Sequence, residues 1–211
     1  MKPCIRKALY LCGLVSPVWL AIGVTIAGSL YPGYSHVDQA MSLLGAVDAP
    51  TYGVSPLINN YPLGVLLLLF GLGVFAAFKA SLPARLTGVL IMLHGLGSLA
   101  TGYFACDSGC GLAQPSATQH LHNLAGAVMA FSLLLASFMW IFLARRVLQS
   151  KGLLWFSLIL TLIAAMMLPW MAAAVQMGHG FGLYQRMNYG ASLIWVAGFA
   201  WVLLRRPANG A

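Results

Sequence analysis

Four of the chain's five histidines, His36, His120, His122 and His179, lie in or beside two polar segments and one tight turn that interrupt an otherwise apolar sequence. Asp38 and Asp107 accompany them, with Ser35 and Ser42 close to the first and Arg186 just beyond the last. Imidazole and carboxylate together offer the nitrogen and oxygen donors of a zinc or copper site. The same groups make a His–Asp general base for hydrolysis, or hydrogen-bond at an interface while the acids balance Arg186. His120-Leu121-His122 is a poor chelate: Ser116 and Gln119 form a capping pair that starts a helix there. Two residues on a helix are separated by about 200° of rotation, so one ring faces inward and the other outward. Cys106-Asp107-Ser108-Gly109-Cys110 offers either a disulfide around a glycine turn, which would hold Asp107 in place, or a pair of metal-binding thiols. Cys4 and Cys12 read as free thiols.

The elements that position these residues follow from composition. A chain of 211 residues that is 61% hydrophobic and 7% charged, with mean hydropathy +0.87, has more apolar surface than a water-soluble core can hide. Six continuous apolar stretches, at about 8–30, 62–80, 86–106, 120–144, 153–177 and 184–204, each reach the ~20 residues that cross a bilayer. Backbone groups in lipid must find partners within their own segment, so the stretches read as helices. The expectation is an all-α membrane protein: one integral domain over 1–211, a bundle of six transmembrane helices. The first apolar run is longer than the ~7–15 residues of a cleaved signal core, and is read as a retained helix.

Ten of the eleven lysines and arginines fall on one side of these spans, Arg186 alone on the other with all three acids, Asp38, Asp48 and Asp107. By the positive-inside rule both termini are cytoplasmic, which fits a multi-pass protein of a bacterial inner membrane. The formal charge of +8 is therefore a topology signal and a contact for anionic membrane lipids, not a nucleic-acid surface, since its cations are dispersed over four short segments. The long outer segment between the first two spans contains a short helix near 36–44. Ser35 caps it, Asp38 supports its first turn, and Val37, Ala40, Met41 and Leu44 recur at helical spacing before Gly45. It is either an interfacial anchor or a lid over a pocket. Most tyrosines, Tyr31, Tyr34, Tyr52, Tyr61, Tyr103, Tyr184 and Tyr189, gather toward this side as an aromatic belt would. His94, at mid-depth in the third span, calls for an interhelical hydrogen bond. Arg186 cannot shed its charge and should pair with Asp38 or Asp107, or hold an anionic headgroup. Gly64, Gly71 and Gly73 in the second helix, and Gly95 and Gly97 in the third, permit close helix approach, and Pro17 and Pro169 kink the first and fifth.

The stretch YPGYSHVDQAMSLLGAVDAP after the first helix, GYFACDSGC closing the third and HLHNLAG opening the fourth resemble an uncharacterised membrane family catalogued as domain of unknown function 998. The resemblance runs over nearly the whole chain. It implies that Tyr31 to Ser35 and Ser42 to Gly45 match the family's segment after helix one, that Asp107 matches its acidic position, and that His120 or His122 matches its helix-four histidine. Leu43 stands where the family often has an acid. A fainter likeness to ceramidase-type membrane hydrolases implies Ser, Asp and His around zinc, although the H-x-x-x-H spacing is missing. The reading is an outward-facing polar site, built from Ser35, His36, Asp38, Ser42, Asp107, His120, His122, His179 and Arg186, that binds a lipid headgroup or small amphiphile. The alternatives are a metal-dependent hydrolase of lipid-like substrates, with zinc as cofactor, and a structural subunit of a membrane complex.

Overall fold

The protein is described from a computed structural model that covers residues 2–111 and 114–206. Local signals start and stop its helices. Serines open three of them: Ser81, Ser116 and Ser150 accept the backbone N–H of Ala84, Gln119 and Leu153 at 3.4, 3.1 and 3.1 Å. Gln149, with φ 50°, and Gly178, with φ 67°, close two in the left-handed conformation. The resulting helices are α1 (Pro3–Ser29), α2 (Tyr61–Ala77), α3 (Leu82–Tyr103), α4 (Ala117–Leu148), α5 (Lys151–Met177) and α6 (Phe181–Leu204). Six helical segments among the described residues are long and apolar enough to cross a membrane, each overlapping one of the six expected stretches. Pro17 and Pro169 lie within α1 and α5, which continue through them.

The helices form a ring in chain order, each packed on its successor and α6 on α1. The end where both α1 begins and α6 finishes carries most of the basic residues and is called the basic end. The opposite end, with Asp38, Asp48 and Asp107, is the acid end. In the basic half the centre of the ring is filled. Phe70, Trp140, Trp195 and Phe199 are completely buried, and Trp140 and Phe199 have ring centroids 4.3 Å apart. Buried indole N–H groups need acceptors in so apolar a medium. Trp140 donates to Thr87 on α3 at 3.0 Å, and Trp195 donates to Ser157 on α5 at 2.9 Å. Each polar pair thus ties α4 or α6 to a neighbour.

Glycines set the spacing of α2 and α3. A Cβ on Gly64 would stand 2.8 Å from the Gly95 carbonyl oxygen, and one on Gly95 would stand 2.7 Å from the Gly64 oxygen. Gly71 and Gly88 repeat the relation, each 2.7 Å from the other's carbonyl oxygen. Backbones this close gain dispersion contacts that larger side chains would forbid.

Residues 30–55 form a cover across the acid end. Here the expected helix near 36–44 is shorter and tighter: a closed turn at 35–39 precedes a 3₁₀ turn, Met41–Gly45. Ser35 accepts the Asp38 N–H at 3.1 Å, and the Gln39 side chain accepts the Ser35 N–H at 2.8 Å. Met41 then gives its N–H to the Gln185 side chain on α6, at 2.7 Å, instead of to a carbonyl one turn back. Ala40 is extended, with ψ 148°, and the α-helix cannot propagate. The cover is not a surface float: Leu43 and Leu44 are buried, with Leu44 packed on Val24 and Ala27 of α1.

Gly71→Leu is expected to force α2 from α3 and destabilise the protein by about 1–3 kcal/mol, the usual range for overpacking. Gly126→Ala, whose Cβ would meet nothing within 4 Å, should be neutral or slightly stabilising. Thermal unfolding of the two variants in the same detergent checks the contrast.

Candidate functional site

Asp38 reaches across to the turn between α5 and α6. One carboxylate oxygen accepts the Gly180 N–H at 3.0 Å and stands 2.6 Å from His179 Nδ1. The other accepts the Ser35 hydroxyl at 2.9 Å. The Gly180 amide, then the Ser35 hydroxyl and the His179 ring, hold the carboxyl below the usual aspartate range. Gly180 takes part because its φ of 84° turns its amide outward from the start of α6.

Arg186 does not meet an acid, contrary to the expected pairing with Asp38 or Asp107. Among the described residues its guanidinium forms no ion pair. Nη1 donates to the carbonyls of Gln39 and Gly182 at 3.1 and 2.9 Å. Nη2 donates to the Tyr34 hydroxyl at 2.7 Å and faces His36 Nδ1 at 3.2 Å. Tyr34 passes its own proton to the Ala40 carbonyl, 2.8 Å away. Nε is buried with no partner. Asp38 faces Gly180, Ser35 and His179 instead, and the guanidinium is met by neutral oxygens of the cover and of α6. Burial, then the nearby guanidinium, keeps His36 below its ordinary pKa, the state in which Nδ1 can accept from Arg186. The Tyr34 hydroxyl is held above its usual range by burial, against the pull of Arg186.

Asp107 belongs to a second cluster. Its carboxylate accepts the Ser116 hydroxyl at 2.5 Å and the Ser116 N–H at 2.8 Å, which together depress its pKa. The Asp107 N–H goes to Gln119, at 2.7 Å. The acid therefore bridges the end of α3 to the start of α4. His120 is exposed and His122 half-buried, with Nδ1 2.7 Å from the Phe104 carbonyl, so the two rings do leave on different sides. Cys106 and Cys110 are joined as a disulfide, with Cα atoms 5.1 Å apart, and the Cys106 sulfur stands 3.6 Å from the Ser42 carbonyl. The Cys106 carbonyl accepts the Val47 N–H at 2.9 Å, pinning the far side of the cover.

The nine candidates thus divide. Ser35, His36, Asp38, His179 and Arg186 fasten the cover to α6; Asp107 braces the α3–α4 connection; His120 is exposed and lines no part of the cavity; only Ser42 and His122 reach a cavity beneath the cover. A zinc site needs three or more suitable ligands. Among the described residues no group of three His, Cys, Asp or Glu could hold a metal. Asp38 and His179 are a pair without a third donor, so this donor set does not fit zinc.

The cavity has a volume of about 410 Å³ and lies at the centre of the ring in its acid half. Met41, Ser42 and Gly45 of the cover form its roof, and every helix contributes to its wall. Its polar groups are Ser42, Ser55, Asn59, Asn60, Ser98, Thr101, His122, Gln185, Asn188 and Tyr189. At its floor Tyr189 meets buried His94. Nδ1 of His94 is 2.9 Å from the Met129 carbonyl and Nε2 is 2.8 Å from the Tyr189 hydroxyl. The interhelical bond expected of His94 is present, and Tyr189 is drawn inward from the expected belt. Beside the cavity a groove of about 550 Å³ runs between α1 and α6, with His36 and Arg186 near the cover. Cavity and groove share Leu20, Val24, Met41 and Tyr189 as walls. Sequence reasoning, weighing ionisable groups, passed over the amides. The signal was present in Asn59-Asn60, Gln185 and Asn188, uncharged polar side chains at the edges of apolar runs.

A family model described as protein of unknown function (DUF998) matches residues 14–202. No significant match exists among curated proteins or among solved structures.

Two outcomes test the fastening of the cover. A Cβ on Gly182 would stand 2.8 Å from the His36 carbonyl oxygen and press on that of Gln39. Gly182→Ala should speed amide exchange over residues 35–45 by about tenfold or more, with a smaller effect on the helices. For His36 the folded pKa lies below the unfolded one, so its contribution is complete above about pH 6.5 and is lost as pH falls through that value toward the folded one. Exchange over 35–45, corrected for intrinsic rates, should therefore rise between about pH 7.5 and 5.5 in the wild type, and His36→Gln should flatten that rise.

Proposed function

For a chain that belongs to the DUF998 family of proteins of unknown function, a membrane protein by its six apolar spans, we propose that the covered cavity binds an amphiphile from the surrounding bilayer. The polar head occupies the cavity, and the tail leaves through the α1–α6 groove. The observation that carries this reading is the adjacency of the two spaces: a mainly apolar cavity with several convergent polar side chains, and a more apolar groove with His36 and Arg186 at its cover end, sharing four wall residues. Sites that hold small molecules are concave and mainly apolar, with a few convergent polar groups. The groove supplies apolar length through Pro17, Leu20, Ala21, Val24, Leu193 and Ile194.

The cover is then a lid, fastened by Arg186 and Asp38. Four of Arg186's five N–H groups face lid atoms, Gly182 and His36, and Nε is buried. That favours a latch over a headgroup clamp. In the same reading the protein sits in a bacterial inner membrane with both termini cytoplasmic, supported by the ten cations at the basic end. The lid then faces the opposite compartment, and its partners are membrane lipids.

Gly126 supplies the test. It lines the cavity, and a Cβ there meets nothing within 4 Å, so a side chain added at this position begins in open space. Wild-type protein, purified in detergent and extracted for mass spectrometry, should carry a bound amphiphile enriched over bulk lipid. Gly126→Phe should retain about tenfold less or lower, ~1.4 kcal/mol in binding, with an unchanged unfolding temperature. Extracts from both proteins that simply mirror the bulk membrane would sink the reading.

A further inference from the structure

The hydrogen-bonding state of the cavity wall selects among headgroups. Three of its polar side chains can be assigned atom by atom. The Phe104 carbonyl only accepts, so His122 Nδ1 carries the proton, and in the neutral ring Nε2 is an acceptor. The Met129 carbonyl likewise fixes the proton of His94 on Nδ1; Nε2 must accept from Tyr189, whose hydroxyl proton is thereby committed. Tyr189 Oη has only lone pairs left to offer. Asn188 donates Nδ2–H to the Ala164 carbonyl at 2.7 Å, leaving Oδ1 without a protein partner.

Two more amides extend the set, and the Ser42 and Ser55 hydroxyls stand in the same lining. Asn60 donates Nδ2–H to Thr101 at 3.0 Å, and its Oδ1 is unpartnered. Gln185 accepts the Met41 N–H through Oε1, so its Nε2 is the group left to donate. None of these unpartnered atoms is walled off, because the buried orphan atoms among the described residues lie on Asn59, Arg85 and Arg186. Asn59 Oδ1 is packed against Gly23 of α1. No Asp, Glu, Lys or Arg lines the cavity among the described residues.

Such a wall has four unpartnered acceptors, amide and hydroxyl donors, and no Asp, Glu, Lys or Arg side chain. A phosphate or carboxylate brings acceptors only, and would sit unneutralised against four more. An ammonium would find no carboxylate. A hydroxyl both donates and accepts, and satisfies either kind of group. Resting on the reading that the cavity holds an amphiphile's head, we infer that the head is uncharged and hydroxyl-bearing, of the glyceride or polyol class. The latch cation Arg186 lies on the groove, not on the cavity wall, so it does not alter this balance.

Three probes that share one oleoyl chain separate the possibilities: monooleoylglycerol, its dimethyl ether, and oleoyl lysophosphatidate. Binding is measured to the full chain in phosphatidylcholine nanodiscs, with Gly126→Phe as the blocked control. Monooleoylglycerol should bind saturably and about tenfold or more tighter than either of the others, because the ether leaves cavity acceptors unpaired and the phosphate adds an unmatched charge. Equal or tighter binding of lysophosphatidate, or equal binding of the ether, overturns the headgroup class while leaving the amphiphile reading in place, provided Gly126→Phe abolishes that binding. If no probe binds in a way that Gly126→Phe blocks, the amphiphile reading itself falls and this inference with it.

Discussion

Arg186 holds the acid end together. A cation that cannot lose its proton must be satisfied where it stands, and here its partners are the carbonyls of Gln39 and Gly182, the Tyr34 hydroxyl and the His36 ring. Three of those four belong to residues 30–55. One side chain of α6 therefore folds a long connecting segment down over the ring of helices. That hold helps place Met41, Ser42 and Gly45, the roof of the central cavity, together with the Asp38–Gly180 contact and the packing of Leu44 on α1. Gln185, one residue earlier on α6, takes the Met41 amide and completes the attachment.

The acids are free for other work because neutral oxygens suffice for the arginine. Asp38 clamps the α5–α6 turn through Gly180 and His179, and Asp107 joins the end of α3 to the start of α4 through Ser116. Both carboxylates accept N–H and O–H groups that would otherwise be orphaned at helix termini or turns. The chain's most chemical-looking residues are thus spent on fastening. Below them the cavity sets amides, hydroxyls and one imidazole into a mainly apolar wall. A bundle in lipid can keep such groups unpaired only where they line a space. That is why an open cavity and unpartnered amide atoms occur together in the acid half, while the basic half is packed with Trp140, Trp195, Phe70 and Phe199.

Much of the framework was legible. The six spans, the serine cap at Ser116, the inward hydrogen bond of His94, the opposed rings of His120 and His122, and the close helix approach at the glycines of α2 and α3 all follow from spacing and local chemistry; which helix each glycine meets does not. The candidate site was legible only in part. Its residues were correctly gathered at one end, but Ser42 and His122 alone reach the cavity. Asn60, Gln185 and Asn188 were overlooked because an amide has no charge to mark it in a sequence, although its cost in an apolar setting is of the same kind.

The sequence by itself determined the class, the number of spans and the side on which polar chemistry collects, because hydropathy over about 20 residues and the cost of buried backbone leave no other solution. Tertiary structure decided who pairs with whom. The partners of Arg186 are the oxygens the fold brings within its reach, while Asp38 meets Gly180, Ser35 and His179. The short segment after Ser35 became a 3₁₀ turn because a glutamine about 140 residues away took the Met41 amide. No local pattern contains that competition, since each contestant comes from a different helix.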